Sequence, residues 1–174
     1  MVLIGCKKET ETPRVLQFRE DQEFNLTFES EESTASINFV TTEMWLASKS
    51  KDSQTDNSWF NFYPEYGESG STTLVLKISE NEDDADRTGS FKVKSGNEEQ
   101  LFTIVQYGRN SANSNYVYIA DANFKSYILQ NFDTDGDWRL SKDEAAAITE
   151  ISCEDYDITS LDGVQYMTAL TSLN

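Results

Sequence analysis

The chain has 174 residues, a formal net charge of −17, no histidine and two cysteines. That charge argues against nucleic acid and against anionic lipid heads as partners, since both are held by lysine and arginine. The lack of histidine removes every Ser-His and Cys-His nucleophile, and any zinc site is left with two cysteines and carboxylates. The carboxylate pairs Asp155/Asp157 and Glu98/Glu99 remain as acid–base candidates but read as solvated, so the chain is expected to be no enzyme. Cys6 and Cys153 are far apart and form no disulfide scaffold.

The chain begins Met1-Val2-Leu3-Ile4-Gly5-Cys6-Lys7-Lys8-Glu9. Leu-Ile-Gly-Cys resembles a bacterial lipobox, in which the cysteine carries lipid after cleavage. The apolar run before Cys6 is short for a signal peptide, so the expectation is a clipped signal, with residues 1–12 as remnant and tether. Acyl chains on Cys6 would make the anchor and the only membrane contact, which implies an outer-membrane, surface-exposed location. The charged residues after Cys6 are similar to the tether of surface-exposed Bacteroidetes lipoproteins. Nothing else is apolar for long enough to span a membrane.

Residues 13–108 read as strands. Phe24, Leu26 and Phe28 alternate with polar residues, as do Ile37 and Phe39. Leu74, Leu76 and Ile78 repeat the pattern, as do Phe91 and Val93, and Phe102 and Ile104. Alternation with one polar face marks an antiparallel sheet packed on one side. Turn formers fill 31–36, 65–71, 79–89 and 95–100. The expected fold is therefore mostly β, an immunoglobulin-like β-sandwich. The order Trp45, Ser58-Trp59-Phe60, Gly67, Leu74-Val75-Leu76, Asn81, Arg87-Thr88-Gly89 and Val105-Gln106-Tyr107-Gly108 resembles the BACON domain, a sandwich module of Bacteroidetes surface proteins. That resemblance implies either a spacer between an anchor and another domain or a module that binds carbohydrate or mucin. The candidate sugar-binding rings are Trp59, Phe62, Tyr63 and Tyr66, with core packing as the competing reading for large aromatics. Asp83, Asp84 and Asp86 read as an exposed hairpin turn.

Residues 109–115, Arg-Asn-Ser-Ala-Asn-Ser-Asn, are small and polar and read as a linker. Residues 116–147 read as a helical cap. Asp121 is placed to cap a helix running to about Asn131, and a second helical arm is expected over 142–150. Between the arms stands Asp133-Thr134-Asp135-Gly136-Asp137-Trp138-Arg139-Leu140-Ser141-Lys142-Asp143-Glu144. This spacing is that of an EF-hand loop, in which one short segment wraps hard oxygen ligands round calcium. Asp133, Asp135, Asp137 and Glu144 would supply carboxylates, Arg139 a carbonyl and Ser141 a water-mediated contact. Loop position 6 is Trp138 where glycine is usual, and a tryptophan resists positive φ, so distortion is expected there. Calcium in this reading is structural.

Residues 148–174 carry apolar residues at Ile148, Ile151, Cys153, Tyr156, Ile158, Leu161, Val164, Met167, Leu170 and Leu173. The pattern restarts after 22 residues, the period of a leucine-rich repeat, with Cys153 as an inward, buried thiol. The Ser160-to-Val164 turn resembles repeats of internalin/BspA-like surface proteins, often preceded by a short aspartate-rich helical cap. One repeat cannot bury its own apolar face, so the expectation is the start of a longer solenoid. The whole reads as a lipid-anchored adhesion protein in which the sandwich is a spacer and the solenoid binds a host or matrix protein. Glycan binding by the sandwich is the alternative.

Overall fold

A computed structural model of the chain describes residues 15–50 and 57–174. Cys6 and its tether lie outside the described residues. The chain divides into two compact units. The first holds residues up to Leu26, Thr34–Ile78 and Gly89–Thr103, and the second holds Thr27–Ser33, Ser79–Thr88 and Ile104–Asn174.

The strands are β1 (Leu16–Phe18), β2 (Asn25–Phe28), β3 (Ser33–Thr41), β4 (Trp45–Lys49), β5 (Phe60–Tyr63), β6 (Tyr66–Gly67), β7 (Gly70–Ile78), β8 (Arg87–Ser95) and β9 (Glu98–Gln106). They form a four-stranded sheet in the order β1-β3-β7-β5 and a five-stranded sheet in the order β2-β9-β8-β4-β6. The expected mostly-β sandwich is therefore present. Alternation works as anticipated: Leu74, Leu76, Phe91, Val93 and Phe102 point inward and are fully buried. Rings from opposite sheets meet in the core. Phe62 on β5 lies 5.1 Å from Phe91 on β8, and Phe18 on β1 lies 5.5 Å from Phe102 on β9. Phe91 and Phe102 stack at 4.8 Å. Each such ring contributes roughly 1.5–3 kcal/mol by leaving water.

The glycines of the motif mark close approaches. A Cβ on Gly67 would come within 2.6 Å of the Trp45 indole nitrogen, and one on Gly89 within 2.6 Å of the Phe60 ring. A Cβ on Gly108 would overlap the Asp84 carbonyl oxygen.

Two sequence boundaries shift. The turn expected over 31–36 is cut short because β3 already starts at Ser33. Trp45–Lys49 and Phe60–Tyr63 are strands, paired with β8 and β7 respectively.

In the second unit, α1 (Ala122–Phe132) is capped by Asp121, whose carboxylate accepts from the Phe124 amide at 2.8 Å. The same carboxylate accepts from the Thr159 amide and hydroxyl at 2.8 and 2.7 Å. The Phe124 and Thr159 hydrogen bonds hold it well below the usual carboxylate range. The second helix, α2 (Lys142–Ala147), is shorter than expected. Ile148 turns extended and the chain enters β10 (Glu150–Ile151), which pairs in parallel with β11 (Ser172–Leu173). A 3₁₀ turn, Val164–Tyr166, lies between β10 and β11 in the chain. Phe124, Ile128, Leu140, Ala145, Ile151 and Met167 share one buried cluster. Cys153 differs from expectation: it is half-buried at the edge of that cluster, just past β10.

The expected linker is not loose. Asn110 donates to Asp84 at 2.7 Å, Asn113 to Asp86 at 2.8 Å and Ser114 to Glu29 at 2.5 Å. The Lys142 ammonium donates to the carbonyls of Ser111 and Ser114 at 3.0 and 2.7 Å. Composition alone marks such a segment as flexible, but here Asn110, Asn113 and Ser114 and the carbonyls of Ser111 and Ser114 have partners from elsewhere in the chain.

Candidate functional site

Two candidate regions emerge, an acidic loop and a tyrosine-bearing surface. The loop follows α1. Asp133, Asp135 and Asp137 bring one carboxylate oxygen each within 4.8 Å of one another. Asp133 accepts from the amides of Gly136 at 2.8 Å and Trp138 at 2.9 Å. Asp135 accepts from the Asp137 amide at 3.1 Å, and Asp137 from the Arg139 amide at 2.8 Å. Trp138 adopts a left-handed backbone, φ 64°, the conformation its bulk is expected to resist. Its ring is 72% exposed, so it meets no packing obstacle, and its amide bond to Asp133 holds the turn.

Glu144 sits apart from the three aspartates. One of its oxygens accepts from the Thr134 amide and hydroxyl, both at 2.7 Å. The other accepts from the Ser141 amide at 2.9 Å and hydroxyl at 2.8 Å. With the Glu144 amide donating back to Ser141, this is a capping box for α2. Burial opposes ionisation of Glu144, but the Ser141 and Thr134 hydrogen bonds outweigh it and pull its pKa down to about 2. Asp135 is shifted the other way. The Asp137 amide favours its charge, yet desolvation and the charges of Asp137 and Glu144 prevail and raise its pKa. Tyr116 donates to Asp137 at 3.2 Å, and this bond, with the Asp137 charge, raises the phenol's pKa. Arg139 lies over the Tyr116 ring at 3.7 Å, which stiffens the loop's exit.

The donor set is therefore all oxygen, with three like charges held together. That chemistry suits a hard dication and not a thiophilic metal. The structure brings Asp133, Asp135 and Asp137 together. Ser141 serves as the cap of α2, and Glu144 is engaged by Thr134 and Ser141 and not by the aspartate cluster.

The aromatic set separates. Trp59 and Phe62 are buried, at 7% and 8% exposure, so neither presents a ring to a ligand, and both are removed from the sugar-binding set. Trp59 packs edge-on against Phe60 at 4.9 Å. Tyr63 and Tyr66 are exposed, at 77% and 70%, but they belong to different sheets. Tyr63 ends β5 opposite Val75, and Tyr66 lies in β6 opposite the exposed Leu46.

The other motif residues hold structure. Gln106 is fully buried; its amide donates to the carbonyls of Ser30, Glu31 and Ser79, and its oxygen accepts from Arg87 at 2.9 Å. Asn81, also fully buried, donates to the carbonyls of Ala85 and Tyr107, both at 3.0 Å. Asp86 accepts from the Gly108 amide and from Asn113; burial opposes its charge, yet these bonds and one from Ser111 lower its pKa. The run Asp83 to Asp86 is thus a hydrogen-bonded turn.

Residues 48–107 match the BACON family model, described as "Putative binding domain, N-terminal". The match covers less than half of the chain and ends before the acidic loop and the repeat. No curated protein matches the chain. Among solved structures, the fold is similar to a Bacteroides ovatus GH5 xyloglucanase in complex with a XXXG heptasaccharide, at 21% identity and TM-score 0.46, over 59% of this chain and 21% of that one. It is similar to a protein from Bacteroides thetaiotaomicron solved by NMR, at 17% identity and TM-score 0.37, over 63% of this chain and 98% of that one. It is also similar to an Ig-like domain of human Obscurin-like protein 1, at 12% identity and TM-score 0.35, over 61% and 98%. The chain thus spans about a fifth of the xyloglucanase.

Proposed function

We propose that this chain is a non-enzymatic binding protein of the cell surface, anchored by lipid on Cys6, whose C-terminal residues begin a repeat for protein interaction. The supporting observation is the parallel pairing of Glu150 with Ser172 and Ile151 with Leu173, at the same 22-residue spacing that the apolar pattern shows. In this reading the sandwich is a spacer, and the partner is a host or matrix protein. Asp133, Asp135 and Asp137, with the Arg139 carbonyl, hold calcium, and Ser141 and Glu144 join them by leaving the capping box of α2. The ion would relieve the repulsion that raises the Asp135 pKa and fix the loop between α1 and α2. The check is the melting point of the full chain with calcium and with chelator, beside Asp135→Asn. A calcium-dependent rise that this variant lacks supports the reading, and no shift in either protein removes calcium. Binding of the full chain to immobilised matrix proteins tests the adhesion role, and a blank across the panel counts against it.

A second reading is favoured by the 77% exposure of Tyr63: the sandwich itself binds glycan. The family description of a binding domain supports it. An exposed phenol ring offers a flat apolar surface with a polar tip, which suits the C–H face and hydroxyl rim of a sugar.

A further inference from the structure

We infer that the outer face of the four-stranded sheet, from Gln17 on β1 to Tyr63 on β5, is the glycan-bearing surface and that it takes an uncharged glycan. This rests on the glycan reading above. Strand alternation sends Asn38 and Val40 of β3, Ser71, Thr73, Val75 and Lys77 of β7, and Asn61 and Tyr63 of β5 to this face. None of them is acidic, in a chain with 31 Asp and Glu residues. The face is amide, hydroxyl and small apolar surface.

A groove of about 340 Å³ opens on it, lined by Gln17, Asn38, Val40, Ser71 and Thr73. Thr73 donates to the Asn38 amide oxygen at 2.7 Å, which sets two polar side chains in fixed orientation on the groove floor. Val40, 47% exposed, supplies apolar surface beside them. Tyr63 stands opposite Val75 at the far edge of the sheet. Thr73 at the groove lies on β7, one strand over and two residues along from Tyr63, which puts groove and ring roughly 8 Å apart by strand spacing and rise, within reach of one short oligosaccharide.

Charge selects the ligand class. Lys77 stands on the face, the Lys49 ammonium reaches it but is engaged by the Asn57 carbonyl at 2.6 Å and the Asn61 amide oxygen at 3.0 Å, and Arg19 at the groove is paired with Asp21 at 3.1 Å; with the chain's net charge of −17 opposing a polyanion, an anionic chain gains little here. The outer face of the five-stranded sheet has a different character. It carries Lys94, a Lys92–Glu99 ion pair at 2.6 Å, and exposed Leu46, Tyr66 and Leu101.

The test is calorimetry of the full chain with a soluble β-glucan and a galactomannan, with polygalacturonate as the anionic comparator. The on-face variants are Tyr63→Ala, which removes the ring, and Thr73→Arg, which fills the groove. Tyr66→Ala and Lys94→Ala are the off-face controls, and circular dichroism checks folding of all four. Saturable binding of an uncharged polysaccharide is expected, weakened about tenfold or more by each on-face variant and unchanged by the controls. Loss in Tyr66→Ala with binding intact in Tyr63→Ala and Thr73→Arg would keep the glycan reading and overturn this face. Tighter binding of polygalacturonate would overturn the uncharged class. No binding of any polysaccharide would sink the glycan reading itself, and this assignment with it.

Discussion

Replacing Glu144 by glutamine isolates the carboxylate that ties the acidic loop to α2. Its four accepted hydrogen bonds come from Thr134 and Ser141, and they pull its pKa down to about 2 from the 4.5 of an unperturbed glutamate. A folded-state pKa below the unfolded one gives stability that is fully present above the unfolded value. That stability is lost as pH falls from about 4.5 to about 2. The full shift, at 1.36 kcal/mol per unit, overstates the effect because the side chain is partly solvated. A discounted contribution is about 1–2 kcal/mol at neutral pH. Glu144→Gln keeps the size and one acceptor oxygen, and it turns an NH₂ group toward donors. Urea unfolding followed by helical circular dichroism, across pH 7 to 2, gives the difference between the two proteins. The difference should be about 1–2 kcal/mol at pH 7 and should close as the pH reaches 2. A difference that stayed constant over that range would refute the assignment, since it would show the variant's cost to be steric and not ionic.

Phe91→Ala should cost about 3–5 kcal/mol, because Phe91 is fully buried between Phe62 and Phe102 and its removal leaves a cavity there; denaturant midpoints would measure it. Gln106→Leu should lower stability by about 2–4 kcal/mol, since the carbonyls of Ser30, Glu31 and Ser79 and the Arg87 guanidinium lose a shared partner. A neutral outcome would mean that water replaces the amide. Trp138→Gly should stabilise the chain by about 1 kcal/mol by relieving a left-handed backbone at an exposed residue, a gain visible as a higher melting temperature.

Much of the sandwich was legible because its strands alternate strictly. Leu74, Leu76 and Ile78 on β7 leave only one choice of buried face. The limits of legibility are equally local. Ser33 to Ser36 look like a turn by composition, yet they extend β3, an inner strand between β1 and β7 of its sheet. Trp59, Phe62, Tyr63 and Tyr66 are neighbours in sequence, but strand parity sends Phe62 inward and Tyr63 outward, and Tyr66 joins the other sheet. The acidic loop was legible as a spacing of oxygens. The engagement of Glu144 with Thr134 and Ser141 was not, because it depends on where α2 starts. The Ser/Asn segment after Gly108 could not be read correctly from composition, since Asp84, Asp86, Glu29 and Lys142 are distant in sequence.

The residues that carry the family resemblance are those that build the scaffold. Asn81 and Gln106 are fully buried donors to backbone carbonyls, and Gly67, Gly89 and Gly108 stand where a Cβ would collide with Trp45, Phe60 or Asp84. Replacing any of them disturbs packing or leaves buried polar groups unpaired, whatever the module binds. A match on such positions therefore transmits a fold and a general binding role, without fixing a ligand. The outward positions are under no such constraint. Asn38, Thr73 and Tyr63 contribute little to the core, and surface substitutions there stay within about half a kcal/mol. Ligand choice in a sandwich of this kind can change at those sites while the buried network stays intact. The chemistry of recognition is thus to be sought on the sheet faces and the acidic loop, and the motif itself is the support that holds them in place.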